Sequence, residues 1–228
     1  MKIANNVEML EITSMGPAIY LTLTWDESHL VLIDTGYPGQ TNDVVQAISA
    51  AGFSAAQITH IILTHQDIDH VGCVADLLKL SPSAQVMAHV DEAPYIDGRE
   101  MPFYLAELLE SYDSLPDDSK ELCDIMKDGF DNWKITIAQM LSDGDILPVC
   151  GGVEVIHTPG HTPGHISLFL RESGVLVCGD AVNIDNGKPI GPDPIYTQNM
   201  ELGLRSMEKA MKYPVKAIVA YHGGYLSI

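Results

Sequence analysis

Four side chains able to bind a metal fall within one short run, Thr64-His65-Gln66-Asp67-Ile68-Asp69-His70: the two histidines, Asp67 and Asp69. Imidazole and carboxylate are the ligands of zinc and its first-row neighbours. Crowding two carboxylates and two imidazoles into a buried corner is costly unless a cation compensates them. A lone Asp at a strand end is ordinarily a cap or a turn residue, and Asp69 could cap a following helix. Four such groups directly after the apolar Ile61-Ile62-Leu63 point instead to a metal.

Further ligand types recur downstream. Residues 157–165 read His-Thr-Pro-Gly-His-Thr-Pro-Gly-His. Histidines four apart would share a helix face, but Pro159, Gly160, Pro163 and Gly164 forbid a helix and make this a tight loop. The three imidazoles then diverge, and one of them is expected to ligate. Asp180 follows the apolar Val175-Leu176-Val177-Cys178, with Gly179 allowing close backbone approach. His222 follows Ala217-Ile218-Val219-Ala220 and Tyr221. Each group is ordinary alone; together they form a set of strand-end ligands drawn from separate parts of the chain.

The elements that must position them alternate between strand and helix. Strands are expected at residues 18–24, 29–33, 59–63 and 85–88, with helices at 43–51 and 71–80. A second strand-rich half covers 153–157, 166–171, 175–178 and 217–221, with a helix over 200–212 before the last strand. This alternation predicts an α/β fold. Between the halves, residues 91–133 change character: Leu105, Leu108, Leu109 and Tyr112 repeat at helical spacing, as do Leu122, Ile125 and Met126. This helical insertion is either a cover over a sheet edge or a wall of the substrate pocket. With no repeat or low-complexity segment, residues 1–228 read as one domain.

Composition narrows the partners. The 228 residues hold 12 Lys and Arg against 31 Asp and Glu, a net charge of −19. Nucleic acid and anionic membranes both need a positive footprint, so neither is expected as partner, leaving a small molecule. No secretory signal or membrane-spanning run is expected, and Cys73, Cys123, Cys150 and Cys178 are scattered without a Cys-x-x-Cys pair. They read as reduced, buried thiols of a cytoplasmic protein. The sequence leaves the oligomeric state open.

The combined pattern resembles the metallo-β-lactamase superfamily: a His-x-His/Asp/Glu-x-Asp-His run, a Thr-Pro-Gly-His-Thr loop, a Gly-Asp strand end and a C-terminal His. The matching elements extend from Asp34 to His222. The resemblance implies an αββα sandwich with two divalent metals, zinc foremost, at one edge of the two sheets. Carried over, one metal is held by His65, Asp67 and His161, the other by Asp69, His70 and His222, and Asp180 bridges them. Asp34 resembles the strand-end aspartate that supports the ligand loops, and His165 stands behind the ligands. The departure is Asp67, where hydrolases of the superfamily most often carry His. The extra carboxylate cancels one positive charge, hardens the ligand set and lets manganese or iron compete with zinc.

The reaction implied is attack by a metal-bridging hydroxide on a small carbonyl ester, thioester or lactone, with Asp69 orienting the nucleophile and moving its proton. Lactone hydrolases of the superfamily carry a Tyr three positions beyond the bridging Asp; here that position is Asn183, and Tyr196 is a possible substitute. Lys188 and Arg99 could each hold a carboxylate. The chain ends six residues after His222, which argues against the C-terminal extension of the glutathione thioesterases. Two alternatives remain: a di-iron oxidoreductase of the same fold, whose oxygen-reducing relatives use a carboxylate at the Asp67 position, and a non-catalytic metal-binding scaffold.

Overall fold

The structure is a computed structural model; it describes residues 1–132 and 135–228, with side chains up to residue 130 in the first stretch. The expected end of the insertion at Trp133 lies outside the described residues.

Among the described residues two sheets face each other. The first contains β1 (Lys2–Ala4), β2 (Val7–Ile12), β3 (Ile19–Trp25), β4 (Leu30–Ile33), β5 (His60–Ile62), β6 (Gln85–His89) and β7 (Gln139–Leu141) in that spatial order. Strands β1 to β4 pair antiparallel, and β4 to β7 run parallel. The chain continues with β8 (Ile146–Leu147), β9 (Val153–His157), β10 (Ile166–Leu170) and β11 (Val175–Val177). A separate hairpin, β12 (Asn183–Asp185) with β13 (Lys188–Ile190), comes next, then β14 (Ala217–Ala220) and β15 (Gly224–Ser227). The second sheet has the order β15-β14-β11-β10-β9-β8, with β11 and β14 parallel.

Period-two alternation assigns the faces of both sheets. In β4, Leu30 and Leu32 pack with Val44 and Ile48 of α1 (Thr41–Ala50), whereas Val31 and Ile33 pack between the sheets with Val155, Leu168 and Val177. In β10 and β11, Phe169 and Leu176 turn outward. Beside them lie Ala210 and Met207 of a helix, Met200–Ala210, that closes the other side. The layers are therefore helix, sheet, sheet, helix, as expected. Because β4 is buried on both faces, a one-residue slip would exchange its two contact sets rather than expose either, so register rests on shape. Each fully buried Leu or Ile contributes about 1.5–3 kcal/mol.

The expected helix over 71–80 is two helices, α2 (Ile68–Val71) and α3 (Val74–Leu80). The break falls where the segment after β4 crosses. A Cβ on Gly72 would collide with the backbone nitrogen and ring of Pro38, and the Cys73 N–H donates to Thr35 Oγ1 at 3.2 Å. The insertion folds as α4 (Ala93–Ile96), α5 (Phe103–Glu110) and α6 (Asp117–Asn132), and the closing helix is α7. Leu105, Leu108, Cys123 and Met126 give the insertion a small core of its own, against which Ile68 packs. Strands β1, β2, β7, β8, β12, β13 and β15 were not expected from the sequence; most are three or four residues long, too short for alternation to register. All four cysteines are free and buried. Among the described residues, no helix is long and apolar enough to cross a membrane.

Candidate metal centre

The parallel strands bring their C-terminal ends to one rim. Strand β4 runs into Asp34, β5 into Thr64 and His65, β11 into Asp180, and β14 into Tyr221 and His222. The loop from β9 to β10 reaches the same rim, since β10 is antiparallel to β11. The expected ligands, dispersed over more than 150 residues of sequence, thus meet through topology alone.

All seven expected ligands come together, in two groups. Asp67 Oδ2 lies 3.3 Å from His65 Nε2 and 3.0 Å from His161 Nε2. Asp69 Oδ2 lies 3.5 Å from His70 Nε2 and 3.2 Å from His222 Nε2. Asp180 reaches into both groups: Oδ2 is 3.6 Å from His161 Nε2 and 3.4 Å from His222 Nε2, and Oδ1 is 3.3 Å from His70 Nε2. Asp69 does not cap a helix; it sits inside α2. The cap position belongs to Asp67, which turns its carboxylate to the imidazoles instead of the helix N–H groups.

Three buried atoms at the centre, His65 Nε2, His70 Nε2 and Asp180 Oδ1, have no hydrogen-bond partner. Buried polar atoms in folded proteins are as a rule hydrogen-bonded, so three orphans at the meeting point of the ligands fit a bound cation; Thr22 Oγ1 and His161 Nδ1 are buried without a partner as well. The donor set, four imidazole nitrogens and three carboxylates, suits a divalent metal, and the ligand atoms of His65, His161 and Asp180, and separately those of Asp69, His70 and His222, lie within 4.8 Å of one another.

Without metal, the carboxylates impose their charge on the imidazoles. Burial pushes His222 down, but hydrogen bonds to Asp180 and Asp69 outweigh it and raise it to about 10. Burial likewise opposes His70 and His161, and the neighbouring acids nonetheless raise both above the ordinary histidine value. His65 is instead lowered by burial and by His70. Burial would raise Asp67 and Asp180, yet the histidines hold both well below the usual carboxylate range.

Asp34 and His165 stand behind the ligands. Asp34, in left-handed backbone at φ 60°, accepts from the Thr64 N–H at 2.8 Å and the Thr64 hydroxyl at 2.9 Å, and its Oδ2 lies 3.0 Å from His70 Nδ1. The carboxylate fixes the ring so that Nε2 faces the centre. Thr64 Oγ1 also lies 3.1 Å from His65 Nδ1, orienting the second imidazole. His165 accepts the Asp180 backbone N–H at Nε2, 2.9 Å away, and contacts Thr158 Oγ1 through Nδ1. Burial and the His65 and His161 charges push His165 well below the ordinary histidine value. Gly179 is required here: its φ is 51°, and a Cβ would come within 2.6 Å of His165 Nε2.

Sequence reasoning missed three contributors. Glu92, fully buried, joins the two ligand segments. It accepts from Gln66 N at 2.9 Å and Gln66 Nε2 at 3.1 Å on one side, and from Thr162 Oγ1 at 2.6 Å and Gly164 N at 2.8 Å on the other. Burial raises its carboxyl to about 7. Tyr221 packs its ring against that of His70, centroids 3.8 Å apart and planes tilted by 31°, and donates its hydroxyl to Asp69 O at 2.5 Å. Tyr37 is raised by burial and by the charges of Asp69 and Asp180, which keeps its hydroxyl a donor. Nothing in the pattern around Glu92 distinguishes it from a surface acid; Tyr221 carries the weak signal of an aromatic residue beside a ligand.

The candidate substrate contacts are less concentrated. Asn183 starts β12 and is half-buried; Tyr196 is exposed and meets Tyr104 of the insertion edge-on at 6.2 Å. Gln66 Oε1 accepts from Phe103 N at 3.2 Å, tying the insertion to the ligand run. Insertion residues therefore border the ligand run. Arg99 is paired with Asp97 at 2.8 Å, and Lys188 lies exposed in β13.

Comparison with known proteins agrees with this geometry. Probable metallo-hydrolase YflN of Bacillus subtilis (strain 168) is 31% identical over 219 residues, spanning 90% of this chain and 79% of the relative. Hydroxyacylglutathione hydrolase GloC of Haemophilus influenzae is 26% identical, spanning 98% and 93%. Among solved structures, the metallo-beta-lactamase family protein TTHA1429 of Thermus thermophilus matches with a TM-score of 0.74 at 24% identity, covering 98% of this chain and 75% of that one, a likeness of fold. The profile of the metallo-beta-lactamase superfamily spans residues 16–222. The chain belongs to that superfamily and is a metallo-hydrolase of its fold.

Proposed function

We propose that this protein hydrolyses a small, uncharged carbonyl ester, thioester or lactone at a dinuclear metal centre. His65, Asp67 and His161 would hold one ion, Asp69, His70 and His222 the other, with Asp180 shared. Two divalent cations held there would supply Lewis acidity for a carbonyl oxygen and would lower the pKa of a bound water. The observation that carries the reading is the convergence of seven ligand groups around three buried, unpartnered atoms.

The chain's own residues divide the remaining work. Asp69 touches His70 and His222 and can take a proton from the attacking water and pass it to the leaving group. Asp34 and Thr64 hold His70 and His65 in orientation. Burial and the charges of Asp69 and Asp180 keep Tyr37 protonated, so it would be a phenol able to donate near the centre, where the Asn183 position supplies none. Tyr104 and Tyr196 form an aromatic lip. With Arg99 already paired, and with the net charge of −19, a substrate carrying its own carboxylates is disfavoured.

GloC, matched over 93% of its length, bears the name hydroxyacylglutathione hydrolase, so chain length is no argument against a glutathione thioester. The harder ligand set created by Asp67 supports manganese or iron as competitors of zinc. The test is a hydrolysis panel of lactones, neutral thioesters, glutathione thioesters, β-lactams and phosphodiesters, run with elemental analysis. Turnover of neutral carbonyl substrates, lost in Asp180→Asn, is expected. Iron content with oxygen consumption and no hydrolysis would favour the oxidoreductase; two bound metals with no turnover of any substrate would favour the scaffold.

A further inference from the structure

Three tyrosines from separate elements stand around the mouth of the metal centre. Tyr104 lies in the first turn of α5, directly after Phe103, whose N–H donates to Gln66 Oε1 at 3.2 Å. Tyr196 lies in the turn before α7. Two residues on, the Gln198 N–H donates to His161 O at 3.3 Å, and the Asn199 N–H donates to Gly160 O at 2.9 Å. One tyrosine is thus carried to the Asp67 side and the other to the His161 side, and their rings meet edge-on, centroids 6.2 Å apart and planes at 81°. The pair spans the ligand group of the first ion. Tyr37 comes from the segment after β4, whose Thr35 N–H donates to His70 O at 2.8 Å, and so belongs to the side of the second ion.

The backbone beneath each ring is tied down. Tyr104 packs against the insertion core of Leu105, Leu108, Cys123 and Met126. The turn holding Tyr196 is anchored at Asp193, whose carboxylate accepts the Ile195 N–H at 2.8 Å and whose carbonyl accepts the Thr197 hydroxyl at 2.6 Å. Tyr37 is half-buried, and the Cys73 thiol donates to its carbonyl at 3.0 Å. The electrostatic neighbours agree with this placement. Burial raises both Tyr104 and Tyr37; after it, Tyr196 and Asp67 act on Tyr104, and Asp69, Asp180, Tyr196 and Asp67 act on Tyr37. Tyr196 nonetheless stays 56% exposed and Ile195 beside it 80% exposed, so ring and aliphatic surface at the rim lies open to a ligand. Tyrosines, with two torsions each, take up such a ligand at small entropic cost.

We propose that Tyr37, Tyr104 and Tyr196 form an aromatic collar that selects substrates carrying a flat aryl group beside the bond to be cut. An aryl ring meets an edge-on pair by offset stacking on one tyrosine and edge contact with the other, arrangements that aromatic rings prefer at centroid separations of about 4.5–7 Å. A flexible alkyl chain gains area from the same surface but not this ring-to-ring attraction. The phenol hydroxyls offer donors to the oxygens of a neutral substrate and no positive charge to an acid. Because α5 supplies one of the three rings, the insertion takes part in selecting the substrate. The proposal rests on the carbonyl-hydrolase reading for the bond that is cut, whereas the ring contact itself needs no turnover.

The test compares benzyl acetate with cyclohexylmethyl acetate on the metal-loaded full chain, since the two alcohols leave with similar ease and differ in the flatness of the ring. Wild type is expected to favour the benzyl ester in kcat/KM by about 3- to 10-fold, the range one aromatic pair supplies, with the difference lying in KM. Tyr104→Leu and Tyr196→Leu should each lower that ratio at least about 2-fold, and Tyr104→Phe and Tyr196→Phe, which keep the ring, should preserve it. Tyr196 is exposed, so its replacement leaves the core intact. Binding is read separately by saturation-transfer NMR on the metal-free protein, where the ring protons of benzyl acetate should receive saturation from wild type and lose it when both tyrosines are replaced by leucine. That NMR result, with neither ester hydrolysed by loaded wild type, would support the collar and count against the hydrolase reading. Hydrolysis of both esters with equal kcat/KM, or a benzyl preference kept by both leucine variants, would overturn the collar and leave the hydrolase reading in place.

Discussion

Replacing Glu92 by Gln tests whether the two ligand segments are held together by one buried carboxylate. The carboxylate accepts four hydrogen bonds, two from Gln66 and two from Thr162 and Gly164. A Gln offers one oxygen for one pair and an NH2 group to the other pair. If the NH2 faces the loop, Thr162 can reverse and accept, but the Gly164 N–H is stranded; if it faces Gln66, the backbone N–H there is stranded. A buried donor left without an acceptor costs about 1–3 kcal/mol, and the second, weakened bond adds to it, so the loss is about 2–4 kcal/mol. For a chain of this length each kcal/mol shifts the melting temperature by about 2–4 °C, which predicts a fall of about 5–15 °C.

The same substitution carries a signature in pH. Glu92 is raised from 4.5 to about 7 in the folded chain. The folded state thus holds its proton where the unfolded state has lost it, so this group's contribution is fully present below pH 4.5 and is lost as pH rises through about 7. Gln does not titrate, so the stability gap between wild type and Glu92→Gln narrows over that window. Denaturant melts of the metal-free proteins at several pH values read both effects, and zinc titration should show affinity falling about 10–100-fold as the ligand loops loosen. A variant melting within about 2 °C of wild type, with unchanged zinc affinity, would refute the reasoning.

Other consequences follow from the charges around the centre. His70, His161 and His222 are raised above the ordinary histidine value without metal and must be neutral to ligate, so metal binding at pH 7 should release protons and weaken as pH falls. Calorimetry in two buffers of different ionisation enthalpy measures this, and a heat independent of buffer would contradict it. Asp34→Asn turns an amide N–H toward either His70 Nδ1 or the Thr64 hydroxyl, and should weaken metal binding about 10–100-fold with little change in fold, read by chelator competition and circular dichroism.

Much of this site was legible in the sequence because ligand identity and strand ends are both local signals. Asp67, Asp69, His161, Asp180 and His222 each follow an apolar run or sit in a Pro-Gly loop, and parallel strands then bring such ends together. The layered fold was legible for the same reason, in the fully apolar β4 and β11 and the apolar Ile61-Ile62-Leu63 that β5 enters. What escaped depends on contacts between segments distant in sequence. Glu92 looks like any surface acid until Gln66 and Thr162 close around it, and His157 reads as one of three loop imidazoles until β6 brings His89 against it. The continuous helix expected over 71–80 failed at Gly72 because the segment around Pro38, over thirty residues earlier, presses against it.

The most direct test of the dinuclear centre is a crystal structure of the metal-loaded protein with anomalous data collected at the absorption edges of zinc, manganese and iron. Two anomalous peaks are predicted, about 3.5–4 Å apart. One should be bound by His65, Asp67 and His161, the other by Asp69, His70 and His222, with Asp180 touching both. A single peak, or none within reach of His65, His70 and Asp180 at saturating metal, would contradict it.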